Sequence, residues 1–346
     1  MIERRRRISV NSRMEGFFVY NLSSQLLEQY PFEVSDIQKG RGAYICTTNE
    51  GKIILKEFAG SAQRAESVAI VLNKAREAEI ACDQIICTKE GGVLAKDIDE
   101  ISYYARYNID ARECDVRNRD DIFLAVQEMA RLHVALHKTD IACVSVPQKA
   151  FYQEVVRHNR EIKKLRNYIH GKHQKNEFEM IFMNHYTVFL EEAVRVEERL
   201  NQWLEEAGAA QIENMYGICH GDFNQHNVLF RGREIILTNF EQVCYDAQII
   251  DLAHFLRKLM EKHNWNVGLA ADLIGAYEKE RRLSRMEWEQ LYMRMAYPEK
   301  FWKVANHYYN SNKAWVSGRD IEKLNKVIEQ EEIRQQFLRM LFYFVQ

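Results

Sequence analysis

The sequence predicts an α+β chain: a small β-rich lobe followed by a large helical lobe. Three observations lead there. Strand and hairpin signals crowd into Val34 to Tyr107, the apolar spacing turns helical from about Arg112 to the end, and one polar loop between two apolar strands interrupts the helices at 218–241. Only 3 prolines and 15 glycines in 346 residues argue for few irregular linkers.

Residues 1–20 are basic (Arg4 to Arg7) and then aromatic (Phe17, Phe18, Tyr20), an arm that is either a solvated end or an electrostatic contact. A short helix around Ser23 to Tyr30 follows. Lys39-Gly40-Arg41-Gly42 is a turn, Ala43 to Thr47 a strand, Asn49-Glu50-Gly51 a hairpin turn, and Lys52 to Phe58 the return strand, carrying Lys56 near its end. Ala62 to Ile80 has helical spacing, and Val93 to Lys96 and Ile101 to Tyr107 bracket a second turn. Asp120 or Asp121 can cap a helix through Lys138 with Ile122, Val126, Met129, Leu132, His133 and Leu136 inward. Long charged helices are expected at Phe151 to Ile169 and Glu177 to Glu206. Beyond the polar loop come a helix from Asp251 to Lys262 and a last one with a core stripe of Leu324, Val327, Ile328, Phe337, Leu338, Leu341, Phe342 and Val345.

A net charge of −2 gives no global field for nucleic acid. No apolar run approaches the roughly 20 residues that span a bilayer, and no apolar signal segment follows the arginine run, so a cytosolic location is expected. The 7 cysteines lack any Cys-x-x-Cys pair and read as reduced thiols.

The polar loop carries the chemistry. Ile218-Cys219-His220-Gly221-Asp222 leads, five residues on, to Asn227, and a third polar position, Asn239, follows the next strand. Protein-kinase catalytic loops space an Asp and an Asn by the same five residues, the Asp orienting the attacking hydroxyl and the Asn binding Mg²⁺, with a further Asp binding Mg²⁺ after the next hairpin. Phosphoryl transfer from ATP also needs a cation on the phosphates; Lys56 suits that role, behind Gly40 and Gly42, although a plain turn and a surface lysine explain those residues equally. His220 reads as a loop histidine whose ring bonds backbone. Asp251 is either a helix N-cap or a buried acceptor for the loop's backbone. His133 and His137, at i and i+4 without a glutamate partner, read as one core and one surface histidine, and His220 with His226 lacks a third zinc ligand.

His220-Gly221-Asp222 to Asn227, Asp246 and Asp251-Leu252-Ala253-His254-Phe255-Leu256-Arg257-Lys258 resemble the aminoglycoside phosphotransferase and choline kinase superfamily. Within it, Tyr297-Pro298-Glu299-Lys300-Phe301-Trp302-Lys303-Val304-Ala305-Asn306 with Tyr308-Tyr309-Asn310 and Lys313-Ala314-Trp315 resembles the CotS-like spore coat proteins of endospore-forming bacteria; Tyr107 to Asn118 is similar to that group's hinge. The resemblance implies a bilobal protein kinase-like fold, with an arm at 1–20, an N-lobe at 21–107, a hinge at 108–118 and a C-lobe at 119–346. It further implies ATP and Mg²⁺ as cofactors, other spore coat proteins as partners, and a mother-cell cytoplasmic location at the spore coat. Lys56 would contact phosphates with Gly40, Gly42 and Tyr107 at the nucleotide, Asp222 would be catalytic, Asn227 a metal ligand, and Asp251 with His220 the loop's anchor.

Asn239 departs from that pattern, since the superfamily holds an Asp there. An amide oxygen supplies Mg²⁺ only a dipole, so stabilisation of the metal and of the developing charge should fall by several kcal/mol. Glu241 could substitute if residues i and i+2 share a strand face. No glutamate of the helix after the hairpin is well placed for Lys56: Glu66 is early and Glu77 late. The leading expectation is therefore a coat protein whose kinase fold is an assembly module with attenuated chemistry. The alternative is an active phosphotransferase acting on a small-molecule hydroxyl (sugar, aminoalcohol or aminoglycoside-like). An active protein kinase fits less well, because the stretch from Asn239 to Asp251 is too short for an activation loop.

Overall fold

The computed structural model describes residues 22–40, 42–137, 139, 143–310 and 318–344. The basic arm at 1–20, Arg41 of the glycine turn, Lys313-Ala314-Trp315 and Val345 lie outside the described residues. The chain forms two compact units, Met1–Ala62 with Gln84–Ile109, and Gln63–Asp83 with Asp110–Gln346.

In the first unit a short helix α1 (Ser24–Leu27), capped by the Ser23 hydroxyl, packs on an antiparallel sheet. Its strands β1 (Val34–Lys39), β2 (Tyr44–Thr48), β3 (Gly51–Glu57), β4 (Ile85–Ile86), β5 (Ala95–Lys96) and β6 (Ser102–Tyr107) run in the order β1-β2-β3-β6-β4, with β5 also on β6. Alternation explains β3: Ile53 and Leu55 are fully buried, which puts Ile54 and Lys56 on the opposite face. The glycine turn is thus the tip of a β1–β2 hairpin. Gly40 N–H donates to the Ala43 carbonyl at 2.8 Å, and Gly42 has φ +69°, a conformation that favours glycine. The expected strand Val93 to Lys96 keeps only Ala95 and Lys96, and β1 and β4 are strands that the apolar pattern did not single out.

The second unit begins with helix α2 (Ala62–Glu77), where Ala65, Val68, Val71, Leu72 and Ala75 are buried at helical spacing. A two-residue strand β7 (Arg112–Glu113) precedes α3 (Arg119–His137), whose inward residues Ile122, Val126, Met129, Leu132, His133 and Leu136 are all buried. Its cap is Asn118, not Asp120 or Asp121: the Asn118 side chain accepts from Asp120 N–H at 3.0 Å and its carbonyl from Ile122 N–H. Asp121 is spent elsewhere, buried against the Arg112 guanidinium, which holds its carboxyl below the usual carboxylate range. Helices α4 (Phe151–His170) and α5 (Glu177–Glu206), the latter opened by an Asn176/Glu179 capping box, pack together as an antiparallel pair.

After a short α6 (Ala209–Glu213) come β8 (Tyr216–Cys219), β9 (Val228–Arg231), β10 (Glu234–Leu237) and β11 (Cys244–Ala247), then α7 (Ile249–Met260), α8 (Val267–Glu280), α9 (Arg285–Ala296), α10 (Glu299–Asn310), α11 (Gly318–Glu329) and α12 (Glu331–Phe342). The expected last helix is two, α11 and α12, breaking at Gln330. Between them they carry the stripe, with Leu324, Phe337, Leu338 and Leu341 buried. Phe301 of α10 stacks on Phe182 and Phe189 of α5 with ring centroids 5.4 and 4.2 Å apart, so the aromatic run near 300 is core as well as surface.

Candidate active site

Two paired ribbons bring the polar positions together. β8 runs antiparallel to β11, with Cys219 opposite Cys244, and β9 to β10, with Val228 opposite Leu237. The loops that join the ribbons, 220–227 and 238–243, therefore leave from matching ends and lie side by side, tied by Thr238 N–H to the Asn227 carbonyl at 2.9 Å. That pairing makes neighbours of residues twelve apart in sequence.

The first loop is held from below by Asp251. Its two carboxylate oxygens accept the backbone N–H groups of His220 at 2.7 Å and Gly221 at 3.0 Å, and it is fully buried. Asp251 lies within α7, which starts at Ile249, so the N-cap alternative is excluded by its position. His133 Nε2 lies 3.1 Å from the same carboxylate, and Tyr277 OH 2.7 Å from His133 Nδ1. Burial alone would raise Asp251, but the bonds from His133 and the loop backbone hold it below the usual carboxylate range; burial lowers His133. The pair is thus carboxylate and neutral imidazole, with Nε2–H donating to Asp251 and Nδ1 accepting from Tyr277. His137 is half-buried beside Gln248 at 3.3 Å, not the surface residue its spacing suggested.

His220, fully buried, points Nε2 at the Thr238 carbonyl, 3.0 Å away, and so latches one loop to the other. Gly221 can only be glycine. Its φ is +80°, and a Cβ there would lie 1.9 Å from the Gln242 carbonyl oxygen.

Asp222 comes next, its side chain 48% exposed. Asn227 Nδ2 donates to the Asp222 carbonyl at 2.8 Å and to Asp222 Oδ2 at 3.2 Å, which leaves Oδ1 open to a hydroxyl or to Lys258, whose Nζ stands 3.9 Å away. A carboxylate aimed this way can orient an attacking hydroxyl. Asn227 Oδ1, the oxygen a metal would use, is taken: Asn239 Nδ2 donates to it at 2.7 Å. Turning the Asn239 amide over would press two carbonyl oxygens together, so this orientation follows from the contact itself. Asn239 is left-handed, φ 64° and ψ 58°, a conformation that Asn tolerates and most residues do not, and the turn it opens, Phe240–Gln242, is 3₁₀. Glu241 therefore does not share a strand face with position 239, which removes the basis for its substituting there. Among the described residues no group of three or more His, Cys, Asp or Glu side chains could hold a metal ion, and the donor set at Asn227 and Asn239 is two amides already bonded to each other. It does not fit Mg²⁺ as a carboxylate and amide pair would.

Two residues that sequence reasoning missed support the second loop. Asp83, buried just past α2, accepts the Asn239 backbone N–H at 2.5 Å, and Arg64 on α2 donates to the carbonyls of Glu241 at 3.0 Å and Val243 at 2.5 Å. They lie 156 and 177 residues before the atoms they hold, and nothing local marks them. Asp246, named in the motif, is fully buried and paired with Arg294 at 2.9 Å, binding β11 to α9; burial raises its carboxyl and Arg294 opposes the rise.

The remaining expected residues belong to the first unit. Lys56 is half-buried on β3 opposite Tyr104 of β6. Tyr107 closes β6 opposite Ile53, its hydroxyl 3.5 Å from Glu50, and Gly40 and Gly42 stand at the β1–β2 tip. Glu66 and Glu77 of α2 are both exposed.

Known proteins share this fold. The Alicyclobacillus acidocaldarius subsp. acidocaldarius DSM 446 aminoglycoside phosphotransferase structure superposes with a TM-score of 0.82 over 95% of this chain and 98% of its own, at 16% identity. The amicoumacin kinase hAmiN, in complex with AMP-PNP, Ca²⁺ and Ami, superposes with a TM-score of 0.60 over 92% and 90%, at 14% identity. At these identities the likeness establishes the kinase-like fold. In sequence, spore coat protein S of Bacillus subtilis (strain 168) is 21% identical over 329 residues, 92% of this chain and 93% of the relative. A family model described as "Spore coat putative kinase YutH" matches residues 23–341, which spans both units and both loops. The chain belongs to that spore coat family, and its fold is kinase-like.

Proposed function

We propose that this protein is a spore coat component whose kinase-like fold serves as an assembly module, its phosphoryl-transfer chemistry attenuated because the metal position has become an amide pair. The observation that carries this reading is the 2.7 Å bond from Asn239 Nδ2 to Asn227 Oδ1. A carboxylate at 239 would set two oxygens face to face and need a cation between them; the amide supplies the hydrogen itself, so the loops close without metal. ATP and Mg²⁺ are then bound weakly or not at all, and the partners are other coat proteins, met where the coat is assembled on the mother-cell side. Binding of ATP with and without Mg²⁺, by the natural chain and by Asn239→Asp, tests this. Tight Mg-ATP binding by the natural chain, with phosphoryl transfer that Asp222→Ala abolishes, would overturn it.

A second reading has its own support. Asp222 is half-exposed, oriented by Asn227 and supported through His220 and Asp251, which is more than a scaffold requires. Under this reading the chain is a small-molecule phosphotransferase with Lys56, Gly40, Gly42 and Tyr107 at the nucleotide, and ATP-dependent loss of an acceptor hydroxyl is the assay.

A further inference from the structure

Five cations gather on the helical unit near Asp222. Lys258, in the last turn of α7, stands 3.9 Å from Asp222 Oδ1. Arg257 beside it pairs with Glu299 at the start of α10, while its Nε is buried without a hydrogen-bond partner among the described residues. Lys303, one turn along α10, pairs with the same Glu299, and Lys300 reaches Glu261 at 3.3 Å. Lys262 donates to the neutral amide of Gln225 at 2.8 Å. Three carboxylates, Asp222, Glu261 and Glu299, thus stand against five cations.

The surplus is felt by its members. Burial, then Arg257 and Lys300, push the Lys303 ammonium down to about 8. Burial also lowers Lys258, with Lys303 and Lys300 adding to the effect and Asp222 opposing it. Like charges held this close repel, and an anion between them relieves the repulsion. The burial is partial, since 49% of the Lys258 side chain and 58% of the Lys303 side chain are exposed, so both remain within reach of a dissolved anion. The same sign continues onto α4, where Arg157, Arg160 and Lys164 line a cleft of about 450 Å³. The carboxylate lining that cleft, Glu161, is engaged by the Trp302 indole N–H at 2.7 Å.

We infer that the surface beside Asp222 binds an anionic small molecule of the class of a phosphorylated sugar or polyol, its anionic group held by Lys258 and Lys303 and its hydroxyls on the Asp222 side. Cationic acceptors, whether aminoalcohols or aminoglycosides, are repelled here. The inference narrows the acceptor under the phosphotransferase reading, and as a statement about binding it needs neither metal nor turnover.

Calorimetric titration of the full chain, free of nucleotide and Mg²⁺, tests it with glucose 6-phosphate, glucuronate, glucose and glucosamine. Glucose 6-phosphate should bind about tenfold or more tighter than glucose, with glucosamine weakest, since each charge-assisted bond contributes roughly a factor of ten. Glucuronate binding as well as the phosphate also supports an anion site. Lys258→Met and Lys303→Met should each weaken glucose 6-phosphate about five- to tenfold, and Lys258→Arg should restore most of it. Glucose or glucosamine binding as tightly as the anions, no binding of either anion, or no effect of the methionine variants overturns the proposal. So does a methionine variant that loses ATP affinity while keeping glucose 6-phosphate, which would assign the lysines to the nucleotide. Failure here is distinct from failure of the amide-pair reading, because this titration is run without Mg²⁺ on the natural Asn239, whereas that reading fails on Mg²⁺ stabilising the natural chain.

Discussion

Replacing Asn239 by Asp tests the amide pair directly. In the natural chain Asn239 Nδ2 gives a hydrogen to Asn227 Oδ1 across 2.7 Å, while its backbone N–H is held by the Asp83 carboxylate. Asp at 239 removes that hydrogen, leaves a buried carbonyl facing a carboxylate, and adds negative charge beside Asp83. Losing the bond and leaving its acceptor unmet costs about 2–3 kcal/mol. For a unit of this size that is a fall in Tm of roughly 4–10 °C. The same two oxygens then make the site a metal ligand pair: if Mg²⁺ binds the variant with a Kd of about 0.1 mM, then about 10 mM Mg²⁺ returns roughly 2.7 kcal/mol and most of the lost Tm. The assay is thermal unfolding of both proteins with and without Mg²⁺, alone and with AMP-PNP. The natural chain should be insensitive to Mg²⁺ and the variant rescued by it. A natural chain stabilised by Mg²⁺ as much as the variant, or a variant neither destabilised nor rescued, would refute the reasoning.

Three further outcomes follow, two from the loop supports and one from a buried histidine of α4. Asp251→Ala strips the acceptor from two buried backbone N–H groups and from His133, and should cost about 3–5 kcal/mol, read as a lowered denaturant midpoint. Gly221→Ala drives a Cβ into the Gln242 carbonyl and should cost at least about 3 kcal/mol, separating the loops while far-UV helix content is kept. His158, stacked on Trp302, is held to about 4 by burial, with Arg157 and Lys303 adding to it. Its folded pKa lies below the unfolded value of 6.5, so its neutral form stabilises the fold above 6.5 and that contribution is lost as pH falls from 6.5 towards 4. Over that window the loss is about 3 kcal/mol, and His158→Phe, which keeps the stack, should flatten the pH dependence of Tm there.

The candidate site was legible where its geometry is local. His220, Asp222 and Asn227 sit on one loop between two short strands, so their spacing already constrains which atoms can meet, and the single glycine the loop cannot lose lies among them. Long helices were legible for the same reason: periodic burial, as in α3 and α5, is written residue by residue. The caps and supports were not. Asn118 displaced Asp120 and Asp121 because the Arg112 guanidinium claimed Asp121, and Asp83 and Arg64 reach the second loop across more than 150 residues. The strand-face argument for Glu241 failed because a left-handed Asn239, its backbone N–H held by Asp83, starts a 3₁₀ turn.

By itself, then, the sequence determined that Asp222 and Asn227 stand five residues apart on a polar loop between two strands and that an amide, Asn239, follows the next strand, since these are statements about residue identity and short-range order. Only the tertiary structure decided what the amide does there. Ribbon pairing carries Asn239 to Asn227, where it donates a hydrogen to the side-chain oxygen, and the packing of α7 against its neighbours gathers lysines beside Asp222. Coulomb and hydrogen-bond energies depend on the distance between atoms, and for residues so far apart along the chain that distance is set by packing.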